Sequence, residues 1–556
     1  MLFLKPNVQN NISNFIKVAA WGLLLFVPFI GASHLFDWDE INFAESAREM
    51  MITQEYFRVQ INFSPFWEKP PLFFWLQVLS YKWFGVNEFA ARFPNAICGV
   101  LVLITVFYIG QKHFNNRLAW LWVLFITGSI TPHLYYKSGI IDPWFNFFIF
   151  ISIYQLFLAA QAEEKRTLHF LLMGIFNGLA ILTKGPVALL VLGLCGFTLW
   201  AIKRFKPYFT LWQLLMALIT IVGITSIWFM SELIKNGPKV LSDFIAYQID
   251  LFLNPVAGHG QPWYYHPVVI FFGCFPASIF ALKAFVHQRK NQTQPQQLFK
   301  LVMNIMFWVV LILFSIVKTK IVHYSSLCYV PLTFLAAWYT EEILTTQQPL
   351  PKFKPLLVLF IGLILSGAFA TLPFIEYYKY DLIPHIKDAF AVGNLEVQGI
   401  WNGWEWMIGV LFGILLLIFY MQQYRRNTIA AVYALLIATG IMIPLLVFQL
   451  APKVEQYTQG SAIEFYKSLQ QKDCYVETFG FKSYAQYFYA QQKQHTHPER
   501  NNKEWLFTQP TDKPVYVVAK ITSEKECKSY PFKEIGRKGG FIFYEKINLT
   551  DSLSSH

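Results

Sequence analysis

Charge is what this chain lacks most. Asp, Glu, Lys and Arg make up 14% of its 556 residues, against about 25% in an ordinary soluble protein, too little to keep a surface of this size in water. Cysteine is sparse, six in all, which excludes a secreted disulfide scaffold. No zinc-ligand spacing, glycine-rich nucleotide loop, G-x-S-x-G elbow or Walker motif occurs, so direct use of a soluble nucleotide has no support. What is abundant is apolar: 55% of residues are hydrophobic, with 55 Phe and 18 Trp, as expected of a lipid-facing surface with aromatic belts. A disordered protein and a single soluble enzyme domain are thereby excluded. The net charge of +12 then reports cytoplasmic loops of a membrane protein rather than a nucleic-acid partner.

Apolar runs long enough to cross a bilayer lie near 17–35, 93–111, 118–134, 143–160, 168–183, 185–202, 212–231, 267–283, 301–317, 325–340, 355–375, 404–421 and 428–449. They predict an α-helical polytopic membrane protein with about 13 spans, because helices satisfy their own backbone in lipid and these runs are too long for barrel strands. Basic residues recur in alternate loops, at Lys112 and Arg117, Lys165 and Arg166, Lys203 and Arg204, Arg289 and Lys290, Lys352 and Lys354, and Arg425 and Arg426. Taking that set as cytoplasmic puts the opposite loops and everything after 450 outside. The first span lacks a small-residue cleavage site and reads as a retained helix. The chain divides into a transmembrane part, 1–452, and a polar tail, 453–556. Strand-like stretches at 475–479, 515–519 and 540–545 and a helical run at 463–470 make the tail a small α/β extracytoplasmic domain. Its two cysteines, Cys474 and Cys527, are a disulfide candidate; the other four lie in or beside spans and read as packing residues.

The first outer loop, 36–92, carries D-W-D-E-I-N-F-A-E-S-A-R-E-M, then F-W-E-K-P-P-L-F-F-W-L, then N-E-F-A-A-R-F-P. Helical spacing of apolar residues over 41–51 and 70–83 predicts two amphipathic juxtamembrane helices lying on the interface, with Glu45, Arg48 and Glu49 on the outer side. Glu45, Glu49, Glu55, Lys82 and Glu88 read as surface charges. Asp39, Glu40 and Lys69 differ, because each abuts an apolar boundary where an unpaired charge is costly. Lys69 is a point charge held at the bilayer surface, as a lipid-linked phosphate requires.

Further outer turns add Asp142 at the mouth of the fourth span, where it also reads as a helix cap, and Lys184 in L-T-K-G-P. The turn V-K-T-K-I-V-H-Y-S-S adds Lys318, Lys320, His323 and Tyr324. In N-P-V-A-G-H-G-Q-P-W-Y-Y-H, His259 can contact a sugar or phosphate or can cap the loop. Two carboxylates and several basic groups on one membrane face predict an anion pocket, with a lipid pyrophosphate or monophosphate as its guest. A transporter or flippase for a polyprenyl-linked sugar would also use basic residues, but transporters place charge near mid-membrane and show repeated halves, and no internal repeat is found.

In order, D-E-I-N-F-A-E at 39–45, E-K-P-P at 68–71, Asp142, T-K-G-P at 183–186, H-G-Q-P-W-Y-Y at 259–265 and K-T-K-I-V-H-Y at 318–324 resemble the ArnT/PMT-like glycosyltransferases, membrane enzymes of the GT-C architecture. The resemblance covers about 1–450, and the tail resembles the extracytoplasmic domain of bacterial members. It implies transfer of a sugar from a polyprenyl-phosphate donor, with inversion, to a lipid A-like glycolipid, glycan or protein hydroxyl outside a bacterial inner membrane. It implies catalytic roles for Asp39, Glu40 and Asp142, and donor-phosphate contacts from Lys69, Lys184, Lys320 and Tyr324. It further implies substrate contacts from Asn42, Phe43, Glu68, His259 and His323. Aminoarabinose transferases tend to carry Arg-Tyr where this chain has Asn42 and Phe43, and Val322 replaces a proline of the late turn. No cofactor is required; a divalent cation near Glu68 is compatible with the sequence. The partners implied are the donor, the acceptor and membrane lipids.

Overall fold

The computed structural model describes residues 6–162, 164–206, 208–254 and 260–547. A bundle of apolar helices is closed at one end by a layer built jointly from the first outer loop and the C-terminal segment. Among the described residues, eight helices are long and apolar enough to cross a membrane: Glu88–His113, Asp142–Ala159, Arg166–Lys184, Leu211–Asn236, Gln294–Ile316, Phe353–His385, Trp406–Tyr424 and Thr428–Ser468. Two shorter apolar helices, Ile12–Phe26 and Val187–Ile202, accompany them. The other three expected runs fall on short or broken helices. One is split into Asn116–Thr127 and Ile130–Tyr135, one into Tyr265–Gly273 and Ala277–Ala281, and one begins as the 3₁₀ turn Val322–Cys328 before Tyr329–Thr345. By length and composition, eight helices among the described residues are each long enough to span unbroken, while Gly128 and Pro276 interrupt two of the remaining expected runs and polar residues open the third.

Several helices start where a side-chain oxygen stands in for the missing backbone acceptor. Asn87 and Asn115 accept from the Ala90 and Leu118 amides, each at 2.9 Å, and Thr210–Gln213 and Thr293–Gln296 form capping boxes. Helix Leu211–Asn236 leaves Leu211, Trp212, Ile219, Val222 and Ile234 exposed, an outward face suited to hydrocarbon rather than water. Helix Asp142–Ala159, in contrast, is buried along nearly its whole length, so its first turn is a fixed position.

In the tail, the three expected strands are Tyr475–Phe479, Val515–Lys520 and Phe541–Lys546, joined by a fourth, Phe532–Lys538. The first two run parallel, with Tyr475 opposite Val515. The second pairs antiparallel with Phe541–Lys546, which pairs antiparallel with the edge strand Phe532–Lys538. That edge strand is studded with Lys533, Glu534, Arg537 and Lys538. Such charges blunt edge pairing and also hide the strand from a search for alternating apolar residues. Strand alternation gives the sheet two cores. Cys474, Val476, Val518, Phe541 and Phe543 face one, and Tyr475, Val517, Ile542, Tyr544 and Cys527 belong to the other. The proposed Cys474–Cys527 disulfide is therefore corrected: both thiols are free and buried, on opposite faces of the sheet.

The first of these cores continues into the membrane domain's outer loop. Ala462, Ile463, Tyr466 and Tyr489 pack in one cluster with Leu35, Ile41, Phe43, Phe73, Phe74 and Tyr81. Helix Thr428–Glu455 runs through residue 452 and continues by a π turn, Gln456–Gly460, into helix Ser461–Ser468. The amphipathic segments of the first loop fold as helices Asp39–Thr53 and Leu72–Phe84, but the expectation that Glu45 and Glu49 face water is overturned. Glu45, Arg48 and Glu49 are buried, since the C-terminal layer covers the side that the sequence assigned to solvent. Arg48 donates to Glu45 through Nε and Nη2 at 2.7 and 2.6 Å and to the Gln492 carbonyl at 2.8 Å. Glu49 accepts from the Phe63 amide at 2.8 Å; burial, then the neighbouring Glu45, pushes its carboxyl well above the usual range.

Candidate active site

Five elements deliver charged side chains to one end of the bundle. Asp39 and Asp142 each open a helix, Asp39–Thr53 and Asp142–Ala159, where a carboxylate is favoured by the helix dipole. Lys184 closes helix Arg166–Lys184, and the turn behind it depends on Gly185, whose φ of +117° belongs to a region that side chains other than glycine rarely adopt. Lys69 comes from the loop before helix Leu72–Phe84, and His323 and Tyr324 from the 3₁₀ turn Val322–Cys328.

These groups form a connected set. Lys184 Nζ donates to Asp142 Oδ1 at 2.5 Å. His323 Nε2 lies 3.3 Å from Asp39 Oδ2 and 3.8 Å from Asp142 Oδ2, so one imidazole bridges the two carboxylates. Lys184 Nζ also lies over the Tyr324 ring, 4.7 Å from its centroid, and Lys69 Nζ lies 5.2 Å from the centroid of Tyr247. Tyr247 donates its hydroxyl to Glu68 Oε2 at 2.7 Å. Burial lowers the Lys69 pKa from its ordinary value while Glu68 opposes the shift. Burial likewise lowers that of His323, against the pull of Asp142 and Asp39. The Tyr324 phenol is pushed up by burial and then by Asp39 and Asp142, which keeps it a hydrogen-bond donor.

A cavity of about 410 Å³ opens beside this set. Lys69, Asp142, Lys184 and Tyr324 line its polar end; Val187, Leu190, Ile249, Leu253, Leu313 and Phe314 line the rest. An apolar groove between helices Val187–Ile202 and Gln294–Ile316 shares Leu313 with the cavity and extends along Ile305, Trp308, Val309 and Ile312. A charged pocket leading into a long greasy trough matches an amphiphile with an anionic head, and the cations supply charge-assisted donors for it. Among the described residues, no group of three His, Cys, Asp or Glu side chains is arranged to hold a metal ion.

Several expected site residues lie elsewhere. Glu40 is not free for chemistry: Arg92 holds both its oxygens at 3.0 and 2.7 Å, and the Phe36 and Gly139 amides donate to it as well. Burial opposes its ionisation, yet the Arg92 guanidinium holds its pKa below the ordinary value. Phe43 is 1% exposed and packs edge-on against Phe73 and Phe74, a core residue rather than a substrate contact. Lys320 folds back on its own turn, donating to the Val317 carbonyl at 2.6 Å, and does not line the cavity. Asn42 is buried one helical turn after Asp39, with no hydrogen-bond partner for its Oδ1. His259 lies outside the described residues. Two participants escaped sequence reasoning. Tyr247 sits on helix Lys239–Leu253, which has no feature to mark it. Arg92 was visible as a cation immediately before the apolar run at 93–111, an apolar boundary where a charge demands a partner.

Comparison with known proteins supports the same class. Residues 68–228 match the family described as dolichyl-phosphate-mannose-protein mannosyltransferase. The chain is 27% identical over 375 residues to an undecaprenyl phosphate-alpha-4-amino-4-deoxy-L-arabinose arabinosyl transferase of Wigglesworthia glossinidia brevipalpis, covering 64% of each chain. It is 25% identical over 448 residues to the protein of that name from Edwardsiella ictaluri, covering 77% of each. Its fold matches the crystal structure of ArnT from Cupriavidus metallidurans bound to undecaprenyl phosphate, with a TM-score of 0.74 at 17% identity over 97% of this chain and 98% of that one.

Proposed function

The chain is ArnT/PMT-like in sequence and GT-C-like in fold, and from that premise we propose that it transfers a sugar from a polyprenyl-phosphate carrier to an acceptor outside a bacterial inner membrane. The observation that carries this reading is the two-part wall of the cavity, lysines at one end and hydrocarbon along the rest. An isoprenoid chain occupies the apolar part and its phosphate meets Lys69 and Lys184, with Tyr324 donating. Undecaprenyl phosphate in the Cupriavidus structure supports this choice of carrier. Charge gathered at one end of the bundle, rather than midway along it, favours a transferase over a transporter. The basic residues of the far end, including Lys112, Arg117 and Arg289, favour placing that end in the cytoplasm.

In the reaction, an acceptor oxygen attacks the anomeric carbon from the face opposite the phosphate. The anomeric C–O bond breaks and its electron pair leaves with the polyprenyl phosphate, inverting the centre. Lys69 and Lys184 stabilise the charge growing on the departing oxygen. Preorganised groups of this kind are each worth about 10²–10³ in turnover. A hydroxyl acceptor passes its proton to Asp39, which His323 orients. A phosphate acceptor arrives ionised, brings no proton, and is instead aligned by Asp39. Asp142 sets the position of Lys184, and Glu68 that of Lys69 through Tyr247.

Asp39→Asn and Lys69→Ala are each expected to lower transfer of radiolabelled sugar from polyprenyl phosphate by about 10²–10³-fold while the protein inserts and purifies normally; full activity in both rejects the site. Lipid and glycan mass spectrometry of cells with and without the gene identifies the acceptor. Cysteine labelling is expected to find 287–298 and 425–427 inside and the tail outside.

A further inference from the structure

Arg92 is heavily engaged in side-chain hydrogen bonds. It sits one turn into helix Glu88–His113, 3% exposed. Its Nε and Nη2 grip Glu40, Nη1 donates to the carbonyls of Ile30 and Ser33 at 2.7 and 2.9 Å, and Nη2 also reaches that of His34 at 2.8 Å. Glu40 in turn accepts from the amides of Phe36 and Gly139. One turn further along the same helix, Asn95 Nδ2 donates to the carbonyls of Ser138 and Ile140, both at 2.6 Å.

These bonds converge on two short segments. One is the exit of the first helix, 30–36, which leads directly to Asp39. The other is 138–140, which leads directly to Asp142. The two segments come from distant parts of the chain, and Glu40 joins them by its bond to Gly139. A buried Arg–carboxylate pair contributes little net stability compared with an apolar replacement of the same volume; what it supplies is fixed geometry, because a guanidinium offers five donors in one plane.

We propose that Arg92, acting through Glu40, is a positioning residue that sets the separation of Asp39 and Asp142, as a jig clamping the two segments that carry them. The inference rests on the proposed roles of those carboxylates. The His323 bridge between them, at 3.3 and 3.8 Å, is short enough that a shift of about 1 Å breaks one contact, and a displacement of that size costs about 10²-fold in rate.

The test compares Arg92→Lys and Glu40→Gln in the full-length protein, measuring kcat and donor KM for sugar transfer together with thermal unfolding. Lysine keeps the charge and loses the fork; glutamine keeps the shape and loses the ion pair, so the two variants perturb the clamp from opposite sides and thermal unfolding reports the folding of each. Each is expected to lower kcat about 10²-fold with donor KM within about threefold. Arg48→Lys, which loosens a second buried ion pair in the same layer, serves as the structural control: it is expected to lose stability and keep kcat. The loss from Arg92→Lys is also expected to be much smaller against the residual turnover of Asp39→Asn, since both act on one group. Unchanged kcat in both variants, an equal kcat loss in Arg48→Lys, or a loss that adds in full to that of Asp39→Asn overturns the inference. Full turnover in Asp39→Asn removes the role of Asp39, and this inference with it; full turnover in Lys69→Ala as well rejects the site reading itself.

Discussion

The pair Lys184–Asp142 separates what holds the site together from what drives the reaction. The two side chains are 14% and 4% exposed and 2.5 Å apart. Asp142 Oδ2 has no hydrogen-bond partner of its own, and His323 Nε2 lies 3.8 Å from it. Lys184→Ala therefore leaves a buried carboxylate without its ion-pair partner, a change that costs about 3–5 kcal/mol of stability. Adding Asp142→Asn removes the stranded charge, and the double variant is expected to regain most of that loss. Turnover follows another rule. If Lys184 stabilises the departing phosphate, its removal costs about 10²–10³-fold, and neutralising Asp142 returns none of it. The measurements are thermal unfolding of the purified protein, followed by tryptophan fluorescence, and radiolabelled sugar transfer by the same samples. Recovery of both stability and transfer in the double variant would refute the phosphate role, leaving Lys184 as no more than the counter-ion of Asp142. An undiminished melting temperature in Lys184→Ala would refute the pairing.

Three further outcomes are expected. Gly185→Ala forces a side chain into φ +117° and sets its Cβ 3.2 Å from Phe244 Cζ; it should cost about 1–3 kcal/mol and lower transfer by displacing Lys184, and wild-type melting and activity would contradict this. His323 is held below the ordinary histidine value of 6.5 by burial, so the folded protein binds fewer protons there than the unfolded chain. Its contribution to stability is complete above 6.5 and falls as pH drops towards the lowered folded value. Transfer should show an acid limb in that range, missing from the residual activity of His323→Asn. Alkylation of the denatured protein should add the same mass at Cys474 and Cys527 with and without reductant, and any difference would restore the disulfide.

The site was legible where the chain violates its own composition. Asp39, Lys69, Asp142 and Lys184 stand out because each is a charge at the edge of an apolar run, and such placements are costly without a partner. Their neighbours were harder to read. Glu40 carries the same signature as Asp39, and only the position of Arg92, 52 residues away, separates a clamp from a free carboxylate. Phe43 occupies a motif position whose side chain turns inward, a matter of helix phase against Phe73 and Phe74. Spans were recognisable where apolar runs are unbroken; those containing Gly128 or Pro276 are continuous in hydropathy and discontinuous in backbone. The strands at 475, 515 and 541 follow from alternation, whereas the charged edge strand has none. The burial of Glu45 and Glu49 could not be inferred, since it depends on a layer contributed some 440 residues later in the chain.

The roof over the charged end of the bundle is made of two strips of chain that share one seam. Expressed by itself, the segment 461–547 would turn Ile463, Tyr466, Phe488 and Tyr489 towards water, and a membrane half cut off at 452 would do the same with Phe43, Phe73 and Tyr81. Neither half is a module that can be borrowed. A stop codon between residues 461 and 541 should read out as lost transfer, although Asp39, Lys69, Asp142 and Lys184 lie hundreds of residues upstream.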